Sequence, residues 1–341
     1  MDTRNGLGKR VQLANGDTSD NLVLLAVSQA MHFDKDILDW SLFKLLNNKE
    51  YQDETEEAIR FEIFKENKQF IAEHNKKWAR GEVSFNVALN EYADLLRHEF
   101  NEMRNGNDQN GQSVEGSSFL PPLGVALPKI IDWRRLGAVT PVKNQKQCDS
   151  CWAFAATGAL EGQLFRHTAN LISLSEQDLL DCSVSNNGCE SGLASRAFLD
   201  IKTEGGIATE SSYSYEATQK RCRLDNVTLG ATDSGFVQLA MGNETQLAIA
   251  VATVGPIAVS LDSSSGSFHY YNGGIYDEPL CSDTHLNHAA LVVGYGSENG
   301  LDYWLVKNSW GDKWGEKGYI RMRRNAGNQC GIATKAVYPL L

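Results

Sequence analysis

The 341 residues contain no uncharged apolar run near the ~18 that a membrane-spanning helix needs, which excludes such a helix. Basic excess is missing too: 32 Lys and Arg stand against 43 Asp and Glu, a formal charge of −11. That balance excludes the footprint of a nucleic-acid binder. It fits a protein kept soluble at low pH, where part of the acid charge is neutralised. Cysteine is absent from the first 147 residues, and the sequence shows no internal repeat. With 42% hydrophobic and 22% charged residues, the chain is globular and long enough for one large domain or two ordinary ones.

The cysteines stand at 148, 151, 182, 189, 222, 281 and 330. In an oxidising compartment that odd count gives three bridges and one free thiol. The triplets Asn226-Val-Thr228 and Asn243-Glu-Thr245 are glycosylation acceptors and favour the same secretory setting. Near the N-terminus, the apolar run Leu22 to Val27 precedes Ser28-Gln29-Ala30, a small-x-small pattern resembling a signal-peptidase site. Asp17 and Asp20 interrupt the link to Lys9 and Arg10, so residues 1–30 read as an atypical signal region or a disordered leader.

Residues 37–104 are charged and helix-like. Between Met103 and Pro128 the composition turns to Asn, Gly, Ser, Gln and Pro, the signature of an exposed, cuttable linker. Beyond it, Ser150 is a candidate N-cap for a helix through Trp152, Leu160 and Leu164. Ser175 with Asp178 forms a candidate capping box before Leu179-Leu180. From Pro256 onward the segments 257–261, 289–293, 303–306 and 319–323 read as strands separated by turns. A helical half followed by a β half predicts an α+β fold with a cleft between the halves.

Cys148-Asp149-Ser150-Cys151-Trp152 is the run that carries chemistry. Two cysteines at this spacing suit a redox pair, half a zinc site, or a bridged cysteine beside a reactive one. The odd count favours the last. No second close pair completes a zinc site, and the strand–CxxC–helix context of a redox motif is missing. At the first turn of a helix, Cys151 would meet unpaired N–H groups and the helix dipole, which favour the thiolate.

This run resembles the local signature of papain and the lysosomal cathepsins, which pairs with a His and an Asn well downstream. His288 in Asn287-His288-Ala289 and Asn308 in Lys307-Asn308-Ser309-Trp310-Gly311 occupy those places, while His285 lacks the flanking pattern. The resemblance implies that Cys151 is nucleophile, His288 general acid/base and Asn308 its orienter. It also implies that Trp310 covers the His–Asn bond and Gln145 supplies the oxyanion donor. In the N-terminal segment, Glu56, Arg60, Phe64, Asn67, Ile71 and Asn75 step along one helix face, with Glu56 and Arg60 at ion-pair spacing. The series resembles the interspersed propeptide motif of cathepsin L-like proteases, and Ala88-x-Asn90-x-Tyr92-x-Asp94 resembles the second propeptide motif.

From about Asp36 to Leu341 the resemblance implies a zymogen: a prosegment over 31–126, lying through the cleft in the non-productive direction, and a mature papain-like protease over 127–341. Bridges are implied at Cys148–Cys189, Cys182–Cys222 and Cys281–Cys330. Polypeptide substrates, the chain's own propeptide and cystatin-like inhibitors are the expected partners. The expected form is a monomeric endopeptidase, lysosomal or secreted, needing neither metal nor organic cofactor.

Several positions bear on specificity. Gly192 and Asn287 are expected to flank substrate. Asp149 replaces a family glycine; it should favour Lys or Arg N-terminal to the scissile bond and raise the Cys151 pKa. Ser191 also replaces a glycine and should narrow the cleft. Lys335 lies at the floor of the main pocket, where it would accept an acidic side chain or extend outward and leave an apolar pocket. The implied cut after Ala126 places Val125 there, which favours the apolar case. Two rivals remain: a catalytically silent homologue serving as a binding or storage protein, and a thiol–disulfide oxidoreductase using Cys148 and Cys151.

Overall fold

In a computed structural model, residues 35–104, 106–107 and 114–341 are described; the leader of residues 1–30 lies outside them. The chain divides into two units, Met1–Lys65 and Glu66–Leu341. In the first unit, residues 35–47 are helical (α1). Helix α2, Glu54–Ala79, starts there and continues into the second unit. Asp53 caps it by accepting the N–H groups of Thr55 at 2.9 Å and Glu56 at 2.8 Å. Acidic residues fill its first turn and Lys76 and Lys77 its last, as the helix dipole favours. Trp40 stacks on Phe43 and Tyr51 at 5.5 and 5.6 Å and meets Phe64 at 5.3 Å, which forms a small aromatic core. The expected Glu56–Arg60 pair forms at 3.8 Å.

The second unit contains a ten-stranded sheet among the described residues. Its strands are β1 (Phe85–Val87), β2 (Ser117–Ser118), β3 (Ile131–Asp132), β6 (Gly235–Gln238), β7 (Ile257–Leu261), β8 (Tyr271–Tyr276), β9 (His288–Glu298), β10 (Leu301–Lys307), β11 (Tyr319–Arg323) and β12 (Ala336–Leu340). They run in the order β1-β8-β11-β10-β9-β7-β12-β6-β2, with β3 on β9. The four segments read as strands from sequence are β7, β9, β10 and β11. β4 (Ile207–Ala208) and β5 (Leu229–Ala231) form a separate pair. Against the sheet lie α4 (Cys151–Thr168), α6 (Ala194–Glu204) and α7 (Glu244–Thr253), while α5 (Glu176–Cys182) packs on α4 and β4, α8 (Gly266–His269) adjoins β8, and α3 (Arg97–Arg104) precedes them in the chain.

α4 is buried along most of its length, and its small residues Ala155, Ala156 and Ala159 let it lie close against the sheet. A polar network is sealed behind it. Lys143 reaches Glu176 at 2.7 Å, Glu161 at 3.4 Å and the Leu174 carbonyl at 2.8 Å. Thr140 and Lys307 extend it, through bonds of 2.6 Å from Thr140 to Glu161 and 3.0 Å from Lys307 to Thr140.

Local expectations are corrected in three places. Ser150 precedes α4, but its side chain makes no cap bond; its hydroxyl pairs with Tyr215 at 2.7 Å. The Ser175 box is half formed. Ser175 Oγ accepts the Asp178 N–H at 3.0 Å, while the Asp178 carboxylate turns to the Ala208 N–H at 2.7 Å. Within the helix-like stretch 37–104, β1 is a strand because β8 offers it an open edge, in antiparallel register with Phe85 opposite Gly274.

Candidate active site

Cys151 opens α4 and is fully buried. Because Ser150 spends its hydroxyl elsewhere, the first turn keeps donors for the thiol. Burial foremost, with the charge of Asp149 adding to it, pushes the Cys151 pKa up to about 12. Backbone N–H groups of Ala289, at 3.3 Å, and of Gly106 and Trp152 oppose that rise.

His288 begins β9 and Asn308 directly follows β10, its antiparallel neighbour, with Lys307 opposite Leu291. Asn308 Oδ1 accepts the Ser309 N–H at 2.8 Å, which fixes the amide's orientation, since a backbone N–H can only donate. The same oxygen lies 2.8 Å from His288 Nε2, so Nε2 must carry a hydrogen. That leaves Nδ1 as the ring's proton-exchanging nitrogen. Trp310, 1% exposed, lies with its ring 4.9 Å from the His288 ring and shields this bond. His285 stands apart as an exposed loop residue whose N–H bonds Ser282 at 2.9 Å.

Gln145 is fully buried. Ser309 holds its side-chain oxygen at 2.7 Å, and its Nε2 donates to the Cys148 carbonyl at 3.0 Å. Asp149 is half-buried, its N–H on the Cys189 carbonyl at 3.1 Å. Ser191 stays within its own loop, its carbonyl accepting the Asn187 N–H at 2.8 Å. Asn287 Oδ1 accepts the Ser263 N–H at 2.9 Å. Lys335 lines a cavity of about 110 Å³ with Val114, Leu193, Met241 and Ala289, the residue next to His288.

The space above Cys151 is filled by residues read from sequence as exposed linker, which is a correction. Gly106 and Asn107 are buried. The Gly106 carbonyl accepts the Gly192 N–H at 2.8 Å, and the Asn107 N–H reaches the Asn287 carbonyl at 3.3 Å. The Asn107 amide donates to the Leu286 carbonyl at 2.6 Å and accepts Ser260 Oγ at 3.0 Å. A β-carbon at Gly106 would collide with the Asp149 carbonyl, and one at Gly192 would lie 2.5 Å from the Trp152 ring. Glycine is therefore what lets these backbone segments touch. Bridges join Cys148 to Cys189, Cys182 to Cys222 and Cys281 to Cys330, leaving Cys151 a free thiol. With Cys148 bridged to Cys189, the Cys148–Cys151 redox pair does not exist.

Residues 127–340 match the papain family cysteine protease, and residues 40–100 match the cathepsin propeptide inhibitor domain (I29). The chain belongs to the papain family of cysteine proteases. It is 53% identical over 332 residues to cathepsin L1 of Drosophila melanogaster, covering 94% of this chain and 90% of that one. To cathepsin L of Sarcophaga peregrina it is 50% identical over 329 residues, covering 93% and 97%. Among solved structures, digestive procathepsin L 3 of Tenebrio molitor larval midgut superposes with a TM-score of 0.83 at 45% identity, covering 90% of this chain and 99% of that one. This is a cathepsin L-like cysteine endopeptidase in zymogen form, with its own propeptide as inhibitor.

The zymogen fold explains the propeptide motifs within the second unit. Asn67 donates to the Ala93 and Leu95 carbonyls at 2.9 and 3.1 Å, and Asn75 clasps Val87 in both directions at 2.8 and 3.0 Å. Asn90 of the second motif donates to the His269 carbonyl at 2.8 Å. Phe100 stacks on the His269 ring at 3.8 Å and meets Trp310 edge-on at 5.2 Å. The sequence reading missed Asn107, Phe100 and His269. Asn107 lies in a polar stretch, and only three-dimensional neighbours single it out. Among the described residues, no helix is long and apolar enough to cross a membrane.

Proposed function

We propose that removal of the prosegment near Ala126–Leu127 frees a mature protease that cleaves polypeptides through a Cys–His–Asn mechanism. Cys151 Sγ attacks the scissile carbonyl carbon. His288 holds the thiol's proton on Nδ1 and passes it to the leaving amine as the C–N bond breaks, which leaves a thioester on Cys151. Water then attacks the thioester carbon, gives its proton to His288 and releases the carboxylic acid; the proton returns to the thiol. Asn308 keeps the ring oriented and Trp310 keeps water off their bond. Gln145 Nε2, swung from the Cys148 carbonyl, and the Cys151 N–H stabilise the tetrahedral oxyanion.

The observation that carries this reading is the Asn308 Oδ1–His288 Nε2 bond beside a free thiol at a helix start. Gly192 and Asn287 pair with substrate backbone where Gly106 and Asn107 now lie, Ser191 borders that groove, and Lys335 lines the neighbouring pocket. Asp149 favours a basic side chain before the cut. Asn226, exposed in a turn, carries glycan. Asn243 does so as well, while its Oδ1 caps α7 through the Gln246 N–H at 2.9 Å. The enzyme acts as a monomer in the lysosome or outside the cell and is open to cystatin-like inhibitors.

The test is incubation of precursor with a thiol reductant at about pH 4.5, beside Cys151→Ala. Loss of the prosegment with a burst of peptidase activity in wild type alone is the expected result. If no activity appears after an added protease removes the prosegment, the catalytically silent alternative takes its place, with Asp149 as the residue to revert.

A further inference from the structure

Both ends of the catalytic sheet are closed by prosegment strands: β1 on β8, and β2 on β6. The second closure lies beyond the nucleophile's cover. Ser117 and Ser118 run parallel to β6, opposite Val237 and Gln238, and the Phe119 N–H bonds the Gln238 carbonyl at 2.9 Å. Phe119 is 8% exposed, with its ring edge-on to Tyr338 at 6.1 Å. Just before it, Gly116 lies flat against the Phe236 ring, with no room for a side chain. Directly afterwards the chain leaves the surface, with Leu120 85% and Leu123 100% exposed.

We infer that in the mature enzyme this vacated edge is an exosite for an extended stretch of the polypeptide substrate carrying an aromatic side chain. The inference rests on the proposed removal of the prosegment. Loss of β2 leaves the β6 edge with unpaired backbone groups beside an apolar seat formed by Phe236 and Tyr338, a surface suited to strand addition. The seat is continuous with the cleft. Gln238, which holds Phe119, also lines the Lys335 cavity beside Ala289, as does Val337, its partner on β12. A chain lying over Gly192 can therefore continue onto β6, where small residues fit at the Ser117 and Ser118 places and an aromatic ring fits at the Phe119 place.

The experiment uses enzyme matured from the full chain and long quenched peptides in which one Phe is walked stepwise away from the scissile bond, each matched to a Ser version. A short peptide that ends at the cleft is the reference. At one placement, Phe should lower KM about ten-fold with kcat unchanged, the mark of added uniform binding. A peptide of residues 116–120, which omits the Val114 that lines the Lys335 cavity, should erase that gain and leave the short substrate untouched. Equal KM for Phe and Ser at every placement overturns the exosite, and so does inhibition of the short substrate, which would place the peptide in the cleft. Pairing of two mature copies through this edge, seen by size-exclusion chromatography, overturns it too. If the enzyme cuts no peptide, the catalytic reading fails separately, and fluorescence anisotropy of the same labelled peptides still reads the Phe-against-Ser difference.

Discussion

A cysteine with its pKa raised to about 12 is a poor nucleophile, so the zymogen's thiol is held neutral at physiological pH. Its alkylation by iodoacetamide in the uncut precursor should be at least about a hundred-fold slower than that of a free cysteine. Removal of Gly106 and Asn107 should abolish that protection. Rapid alkylation of the precursor, located by peptide mass, would contradict this account. Within the matured enzyme, Gln145→Ala should lower kcat by about a hundred-fold or more if its amide reaches the oxyanion. An unchanged kcat would return Gln145 to the structural bond it makes to the Cys148 carbonyl.

At the scale of elements, the prosegment works by fitting backbone against backbone, and glycine is its means. Gly106→Ala puts a methyl group into the Asp149 carbonyl, so the segment over Cys151 must lift. Residual activity of uncut precursor should rise about ten-fold or more, measured before any change in intact mass. A half-buried and a buried histidine add a pH dependence. Burial lowers the His74 pKa, against its bond to the Phe85 carbonyl; Lys77 lowers it further and Glu278 raises it. His269, fully buried against Phe100, is pushed down to about 3, mainly by burial, with Arg97 and His288 adding to the fall. Both bind fewer protons docked than released. The docking free energy is therefore fully present above the ordinary histidine pKa near ~6.5 and declines as pH falls below it. Hydrogen exchange of residues 85–104 in Cys151→Ala precursor, corrected for intrinsic rates, should show weaker protection at about pH 5 than at about pH 7. Equal protection would remove the histidines from the account.

Across the Glu66–Leu341 unit, stability turns on the sealed charges behind α4. Lys143 is held above the usual lysine range, with Glu176 and Glu161 favouring its charge against burial. Lys143→Met would remove the direct ion-pair partner of two buried carboxylates and leave them only the more distant Lys307, at a cost of about 3–5 kcal/mol, visible as a lowered Tm. Burial also raises Asp233 to about 7 and moves Glu176 upward against the pull of Lys143. A carboxyl whose pKa is higher folded than unfolded stabilises fully below its unfolded value, and that contribution is lost as pH rises through about 7. The mature enzyme should therefore melt at a higher temperature at about pH 5 than at about pH 8. The reverse order would show that these carboxyls do not set the pH dependence of stability.

The identities Cys151, His288, Asn308 and Gln145, the odd thiol and the propeptide motifs were all legible in the sequence. Each is a fixed residue type at a spacing that short-range geometry or chain order constrains. The strands after Pro256 were legible for the same reason, since a buried sheet demands runs such as 289–293. Which residues of the prosegment occupy the cleft was not. Residues 103–128 are polar and glycine-rich, and nothing local distinguishes a solvated linker from a segment whose hydrogen bonds are met by Gly192, Leu286 and Ser260. Likewise Ser150 was a sound cap by type, but Tyr215 competed for its hydroxyl. Chain order determined the chemistry available to this protein. The tertiary structure alone decided where that chemistry is blocked, because backbone groups on distant segments find partners only once the sheet edges that receive them have formed.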